Sequence, residues 1–243
     1  MKTTLITGGL GFIGSNICEV LLQKKYTNKC ILLDNFGGYM NPIKDNFVDF
    51  RKQRFPSLKN IIIERCDTSN YKALSSIINK YKPNYIYHTA ALPLAKVSNL
   101  NNEEAKISSV DSTVNIIDTI NLIKNSNKNF QFNRFIYFSS SMVYGDFKKS
   151  IVNEESEKNP KDAYGIMKLA GEVVTEGLCK LHNIPYTIIR PSAVYGPKDM
   201  NRRVSQIFIE SAFKNKEIFI QGKNEKLDFT YIKDLANGSI LAA

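Results

Sequence analysis

The chain has 243 residues, 43% of them hydrophobic and 23% charged, and a formal net charge of +10, which fits one large globular domain or one domain with a small second one. No apolar run approaches the ~20 residues of a membrane helix, and the N-terminus does not resemble a secretory signal, so we expect a cytoplasmic protein without a membrane partner. The basic residues are scattered, which argues against a nucleic-acid partner and favours attraction of an anionic substrate.

Short apolar, β-rich runs alternate with longer helical patterns as far as residue 190. Predicted strands cover residues 3–7, 30–34, 60–64, 85–88, 134–139 and 186–190, and predicted helices cover 12–24, 71–80, 104–124 and 164–181. This alternation predicts an α/β fold with a doubly wound parallel sheet, a Rossmann domain whose ligand crevice lies at the carboxyl ends of the strands.

Residues 191–243 break this alternation. A loop over 191–200 is followed by a predicted helix over 203–213, short strands over 218–220 and 229–231, and a helix over 232–243. That last helix has no C-cap glycine and no strand after it, so Ile240 and Leu241 are expected to lack packing partners. We predict a dinucleotide-binding domain over 1–190 and a small, incomplete substrate-binding region over 191–243, and we expect the natural chain to be longer.

A glycine-rich turn joins the first predicted strand to the first predicted helix. Its glycines satisfy both G-x-G-x-x-G and G-x-x-G-x-x-G, and they are Gly8, Gly9, Gly11 and Gly14. Glycines at this spacing let the backbone turn sharply and approach a pyrophosphate, while the N–H groups of the following helix, at Phe12 and Ile13, attract its charge. The pattern predicts a dinucleotide site.

Asp34 ends the second predicted strand, twenty residues after Gly14. A carboxylate there can accept hydrogen bonds from the adenosine ribose and would repel a 2′-phosphate, which favours NAD over NADP. The neighbours Asn35 and Phe36 supply no arginine for that phosphate. The alternative is a solvated aspartate in a turn.

Tyr164 and Lys168 lie four residues apart on one face of a predicted helix. A phenol needs a stabilised tyrosinate to act as an acid or base near neutral pH, and a nearby ammonium group can supply this. The pattern occurs by chance in many helices, but the hydroxyl cluster Ser139, Ser140 and Ser141 at a strand end could hold a substrate oxygen beside the phenol.

These motifs resemble the extended short-chain dehydrogenase/reductase family, in particular its NAD-dependent nucleotide-sugar epimerase/dehydratase branch. The resemblance runs over the whole chain and also rests on Asp67, on residues 88–91, on Glu172, and on residues 190–197 and 228–234. It implies a nucleotide-sugar substrate, NAD as cofactor, and a homodimer that pairs through the helices over 104–124 and 164–181.

The resemblance also implies roles for individual residues. The glycines would line the pyrophosphate, Asp34 the ribose and Asp67 the adenine region, with the two alanines after the fourth strand beneath the cofactor. The implied cofactor-binding residues are Gly8, Gly11, Phe12, Ile13, Gly14, Asp34, Asn35, Asp67, Thr68, Ala90, Ala91, Tyr164, Lys168 and Pro191. The implied catalytic residues are Ser140, Tyr164 and Lys168, and the implied substrate-binding residues are Ser140, Ser141, Tyr164 and Ala193.

Several positions depart from the family pattern. Ser141 and Met142 stand where the dehydratases have Asp-Glu, so elimination of water is disfavoured. Leu227 replaces an arginine that grips the substrate diphosphate in many relatives, and Lys226 beside it lacks the bidentate fork. Ser109 and Ala193 stand where asparagines are usual.

Histidine and cysteine offer no alternative site. His88 is expected to pack or hydrogen-bond after the fourth strand, and His182 to lie at a helix end. The four cysteines lack metal-site spacing, so free thiols and no metal are expected; they are Cys18, Cys30, Cys66 and Cys179.

Three functions stay open. The first is epimerisation of a nucleotide sugar through a keto-sugar, with NAD regenerated in each cycle. The second is a keto-sugar reductase or dehydrogenase of the same branch, with net turnover of the cofactor. The third is an NAD-binding sensor or scaffold without catalysis, because a fold alone does not establish chemistry.

Overall fold

In the computed structural model, six parallel strands form one sheet with helices on both faces. The structure describes residues 2–37, 55, 57, 59–92, 101–147, 151–199, 203–220, 222 and 226–243. The strands of this sheet are β1 (Thr3–Thr7), β2 (Lys29–Asp34), β3 (Ile61–Arg65), β4 (Tyr85–His88), β5 (Arg134–Phe138) and β6 (Tyr186–Ile189). Their order is β3-β2-β1-β4-β5-β6, so the sheet is doubly wound and reverses its winding between β1 and β4. The predicted fold class is confirmed.

The helices of the described ranges lie close to their predicted positions. They are α1 (Phe12–Gln23), α2 (Tyr71–Tyr81), α3 (Asn102–Lys106), α4 (Ser112–Ser126), α5 (Ala163–Leu181), α6 (Val204–Phe213) and α7 (Ile232–Leu241). The predicted helix over 104–124 is divided, because a π-helical turn over Ile107–Asp111 joins α3 to α4. None of the helices in the described ranges is long and apolar enough to cross a membrane.

The two faces of the sheet are packed by different helices. On one face, Ile6 and Leu32 pack with α1 and with Ile232 and Leu235 of α7. On the other face, Leu5, Ile31 and Phe135 pack with apolar residues of α2, α4 and α5. The interior residues of the strands are mostly apolar because both sides of the sheet are covered.

The C-terminal region differs from its prediction in three places. Residues 218–220 form no strand, whereas Val194–Tyr195, inside the predicted loop, form β7 and pair in parallel with β8 (Thr230–Tyr231). The last residue of that predicted loop, Met200, lies outside the described residues. Ile240 packs against the core beside α1, so the expectation that it lacks a partner is wrong, while Leu241 is 82% exposed.

Candidate active site

The glycine turn after β1 touches the loop after β4. Gly8 has a φ of +64°, and a Cβ there would lie 2.9 Å from the backbone N and Cα of Ala90. The N–H of Ala90 donates to Thr7 Oγ1 at 3.2 Å. Because β1 and β4 flank the point where the winding reverses, this contact lies where doubly wound sheets bind ligands.

Helix α1 starts directly above this turn. A Cβ at Gly14 would lie 2.5 Å from the carbonyl oxygen of Gly8, so only glycine allows this approach. The N-cap of α1 is Gly11, and no described side chain caps it. The N–H groups at Phe12 and Ile13 thus belong to an uncapped helix start, which favours binding of phosphate groups. The turn and the helix start fit a dinucleotide pyrophosphate.

Asp34 ties the end of β2 to the glycine turn. Its carboxylate is buried and accepts hydrogen bonds from the N–H of Leu10 at 3.1 Å and from the N–H of Phe36 at 3.0 Å. The residue is therefore not a solvated turn aspartate. The Asp34 carboxylate therefore holds the glycine turn in place, and the resemblance implies that it also binds the ribose.

Asn35 and Asp67 meet beyond the ends of β2 and β3. Asn35 Nδ2 donates to Asp67 Oδ2 at 3.0 Å, and both the N–H and the hydroxyl of Ser69 donate to Asp67 Oδ1. Burial alone would raise the pKa of Asp67, but these hydrogen bonds hold it below its usual value. Thr68 is buried beside them, and its carbonyl accepts from Asn115 Nδ2 at 3.1 Å.

Ser140, Tyr164 and Lys168 come together at the carboxyl end of β5. The Ser140 side chain accepts a hydrogen bond from the N–H of Met142 at 3.2 Å and lies near enough to the Tyr164 hydroxyl to influence its pKa. Lys168 is buried, its Nζ donates to the carbonyl of Phe138 at 2.7 Å, and it lies 5.9 Å from the Tyr164 ring centroid.

The electrostatics of this pair follow from its burial. Burial lowers the pKa of the Lys168 ammonium to about 7, although the negative charge of Glu172 acts to raise it. Burial raises the pKa of the Tyr164 phenol, while the positive charge of Arg203 and the hydrogen bond with Ser140 act in the opposite direction. Burial thus shifts both groups towards their neutral forms, and among the described residues Arg203 and Ser140 are the ones that favour the tyrosinate.

The predicted substrate-binding residues lie beside this pair. The N–H of Ser141 donates to the carbonyl of Pro191 at 3.0 Å, so the loop after β6 touches the serine cluster. Ala193 in that loop has a φ of +33°, a strained conformation for a residue with a side chain. Backbone strain of this kind is concentrated at functional sites.

The histidines, Leu227 and the cysteines are the remaining predicted positions. His88 is buried, with Nδ1 2.7 Å from Thr7 Oγ1 and Nε2 3.1 Å from Ser112 Oγ, and burial lowers its pKa to about 3. It is therefore a neutral, structural histidine. His182 is the C-cap of α5. Leu227 is 55% exposed. In the described ranges no group of three or more His, Cys, Asp or Glu could hold a metal ion, and all four cysteines are buried free thiols.

Sequence reasoning missed three features of the site. Arg203 lies near enough to Tyr164 for its charge to act on the phenol, and no local pattern pointed to it. Arg190 forms a bidentate ion pair with Glu172; the position of Glu172, one helical turn after Lys168, could have indicated this face. The Tyr137 hydroxyl donates a hydrogen bond to the carbonyl of Lys168 at 3.3 Å.

A doubly wound sheet with a glycine turn, a buried aspartate after β2 and a Ser–Tyr–Lys cluster defines a dinucleotide-binding α/β protein. Residues 4–243 match the model of the NAD dependent epimerase/dehydratase family. The chain belongs to this family, so the resemblance is confirmed. Its cofactor is NAD, as the sequence predicted.

Individual relatives carry several activities in their names. A Methanocaldococcus jannaschii protein, provisionally named as a UDP-glucose 4-epimerase, is 30% identical over 98% of this chain and 72% of its own length. A dTDP-D-glucose 4,6-dehydratase of Dictyostelium discoideum is 30% identical over 98% of this chain, which spans only 54% of that relative. The solved UDP-glucuronic acid 4-epimerase of Bacillus cereus, in complex with UDP-glucuronic acid and NAD, has a TM-score of 0.83 and 27% identity, and the alignment covers 99% of this chain and 72% of that one.

Proposed function

We propose that the chain is an NAD-dependent epimerase that acts on a nucleotide sugar through a keto-sugar intermediate. The observation that carries this proposal is that Ser140 and the buried Lys168 both lie beside Tyr164 at the carboxyl end of β5. The names of its relatives, which include UDP-glucose and UDP-glucuronate epimerases, support the class of substrate.

The proposed cofactor site follows the carboxyl edge of the sheet. The glycine turn would hold the pyrophosphate, Asp34 and Asn35 the adenosine ribose, Asp67 and Thr68 the adenine region, and Ala90 and Ala91 the floor. Lys168 would bind the nicotinamide ribose, with Pro191 nearby. We further propose that residues 1–190 form the cofactor domain and that 191–243 contribute to the sugar site through Ala193.

Tyr164 would perform the proton chemistry. When bound, NAD supplies reversible hydride acceptance. Tyr164 Oη, as a tyrosinate stabilised by the positive charges of Lys168 and of bound NAD, would take the proton of a sugar hydroxyl as the carbon-bound hydrogen leaves with its electron pair, which turns the alcohol into a ketone. Ser140 would hold the same oxygen. In the reverse step Tyr164 returns the proton after the keto-sugar has presented its other face.

Epimerisation is favoured over dehydration because of the groups near Tyr164. Ser141 and Met142 provide no carboxylic acid to protonate a leaving hydroxyl. The carboxylate whose charge acts on Tyr164 is Asp162, and it caps α5 by accepting from the N–H of Gly165 at 2.7 Å. It is therefore engaged in holding the helix that carries the phenol.

The test is incubation of the protein and NAD with UDP-glucose, UDP-glucuronate and dTDP-glucose in turn, with products separated by chromatography. We expect an epimer of one of these sugars and no net NADH. Net NADH would instead indicate the dehydrogenase alternative, a deoxy keto-sugar would indicate a dehydratase, and bound NAD without any product would indicate the sensor. Tyr164→Phe should keep NAD but lose turnover by ~100-fold or more.

We also propose a homodimer through α4 and α5. Both helices expose apolar side chains, including Leu122 of α4 and Val173 and Leu181 of α5, and apolar surface of this kind favours association. Light scattering that finds only monomers would contradict this. The cytoplasmic location stays a prediction from the sequence.

A further inference from the structure

The Arg190 side chain hydrogen-bonds three other segments of the chain, one of which is the helix that carries Tyr164 and Lys168. It follows the last residue of β6, and its side chain is only 16% exposed. Its Nε and Nη2 donate to the two carboxylate oxygens of Glu172, each at 2.8 Å. Its Nη1 donates to the Tyr144 hydroxyl at 2.8 Å and to the carbonyl of Glu154 at 3.2 Å. A planar guanidinium with both edges engaged has little freedom to move.

The first of these segments is the helix that carries the pair. Tyr164, Lys168 and Glu172 follow one another at intervals of four residues on α5, so they share one face. Glu172 is buried, and its charge favours the ammonium form of Lys168 against the effect of burial. Arg190 pairs with both carboxylate oxygens of Glu172 and so neutralises part of its charge.

The second segment is the turn that carries the serine cluster. Ser140 is the N-cap of a 3₁₀ turn over Ser141–Tyr144, so Tyr144 ends the turn that Ser140 begins. The guanidinium carbon of Arg190 also lies 5.3 Å from the Tyr144 ring centroid. Movement of Tyr144 would therefore be transmitted to Ser140.

We propose that Glu172 and Arg190 are positioning residues for the acid/base site: Arg190 holds the Ser140 turn against α5, and Glu172 places a negative charge one helical turn from Lys168. Neither residue reaches the reacting atoms in this role. The inference rests on the proposed function of Tyr164 and Lys168, but it can be tested without a substrate.

The other groups that face Lys168 do not supply the same charge. From β5, the Phe138 carbonyl accepts its hydrogen bond and the Tyr137 ring lies 5.3 Å from Nζ. From β4, His88 is neutral near pH 7 because its pKa is lowered to about 3. On α5 itself, Tyr164 is a neutral phenol at that pH, because burial raises its pKa. Glu172 is the described residue whose negative charge favours the ammonium.

The experiment is an NMR pH titration of protein labelled with carbon-13 at the lysine Cε, with the Lys168 signal identified by its loss in Lys168→Met. In the wild type we expect a midpoint of about 7. Glu172→Gln should lower it by ~1 unit or more, because the charge that favours the ammonium is lost. Arg190→Gln should raise it, because Glu172 is then no longer neutralised.

The opposite directions of these two midpoint shifts distinguish the proposed electrostatic roles from a general loss of packing at the site. If either variant merely admitted water, both midpoints would rise towards the ordinary value for lysine, and the proposal would be overturned. The matched control is Glu176→Gln, which makes the same charge change one turn further on, where the side chain is 53% exposed, and should leave the midpoint unchanged.

Removal of one partner from a buried ion pair can prevent folding. In that case the double variant Glu172→Gln/Arg190→Gln, which is neutral overall, should still lower the midpoint, because Glu172 is the nearer charge. An unchanged midpoint there contradicts the proposal. Tyr144→Phe should leave the Lys168 midpoint unchanged and speed amide hydrogen exchange in Ser141–Tyr144. Unchanged exchange would refute the proposal that Arg190 holds this turn against α5. If Tyr164→Phe proved fully active, the proposed function would fail while these results could stand.

Discussion

Helix α5 lies close to Tyr137 of β5 at Gly171, and alanine at this position tests how the helix that carries Tyr164 and Lys168 is seated on the sheet. A Cβ there would lie 2.1 Å from the Tyr137 hydroxyl and 2.8 Å from the Ser109 carbonyl, which belongs to the π-helical turn. Tyr137 is 1% exposed, so its ring has no free space to enter. Gly177 lies on the same helix with nothing within 4 Å of a new Cβ, which makes Gly177→Ala the matched control.

The two substitutions should change stability in opposite directions. In a helix interior, alanine is favoured over glycine by about 1 kcal/mol, and Gly177→Ala should gain this amount. Gly171→Ala gains the same but overpacks the core at a cost of about 1–3 kcal/mol. It also breaks the hydrogen bond from Tyr137 to the Lys168 carbonyl, worth about 1 kcal/mol. We expect Gly171→Ala to be about 1–3 kcal/mol less stable than wild type.

Urea unfolding of the three proteins measures these differences, and NADH fluorescence titration reports the site. A loss of 1 kcal/mol should lower Tm by about 2–4 °C in a protein of this size. Gly171→Ala should also weaken NADH binding, since Tyr137 no longer supports the Lys168 backbone, whereas Gly177→Ala should bind normally. Equal stability of the two variants would refute the close seating of α5 on β5.

Three further predictions concern the site itself. Asp34→Asn should narrow the preference for NADH over NADPH by ~10-fold, because the charge that repels a 2′-phosphate is lost, and titration with both cofactors checks this. Lys168→Met should abolish tight NADH binding yet stabilise the fold by up to ~5 kcal/mol at neutral pH, because the pKa of this lysine falls from 10.5 to about 7 on folding. The penalty is complete below pH 7 and disappears as pH rises towards 10.5, so the advantage of Lys168→Met in unfolding experiments should shrink over that interval. Ser140→Ala should lower turnover more than Ser141→Ala, since Ser140 contacts Tyr164, and equal rates would contradict the assigned hydroxyl.

The sheet could be predicted because each of its strands contains a short run of apolar residues. Strands β1 and β4 begin and end at the predicted residues. The run over 218–220 was wrongly predicted as a strand because it has the same apolar pattern. Phe219 and Ile220 are 85% and 69% exposed, and no described strand pairs with them. Local pattern cannot show whether a neighbour exists. Strand β7 was missed because its two residues are extended only by pairing with a segment more than thirty residues away.

The residues of the candidate site also fall into those that a local pattern predicts and those that only tertiary packing brings together. Residues within one motif, such as the glycines or Tyr164 and Lys168, are fixed relative to each other by a single turn or helix, so spacing predicts their relation. The bidentate pair joins Arg190 to Glu172 across two elements, and Arg203 reaches Tyr164 from a third. Such contacts depend on how the elements pack. The π-helical turn over Ile107–Asp111 was not predicted either.

The buried charge that the proposed chemistry needs at Lys168 lowers the stability of the fold. A buried ammonium whose pKa is lowered to about 7 weakens the fold at neutral pH, and an apolar side chain would pack there without that cost. Glu172 offsets part of the cost, but as a buried carboxylate it needs Arg190 in turn. Arg190 then reaches Tyr144 and the serine turn. The charge needed beside Tyr164 thus requires a chain of partners, and that chain also fixes the turn on which Ser140 is presented to the phenol.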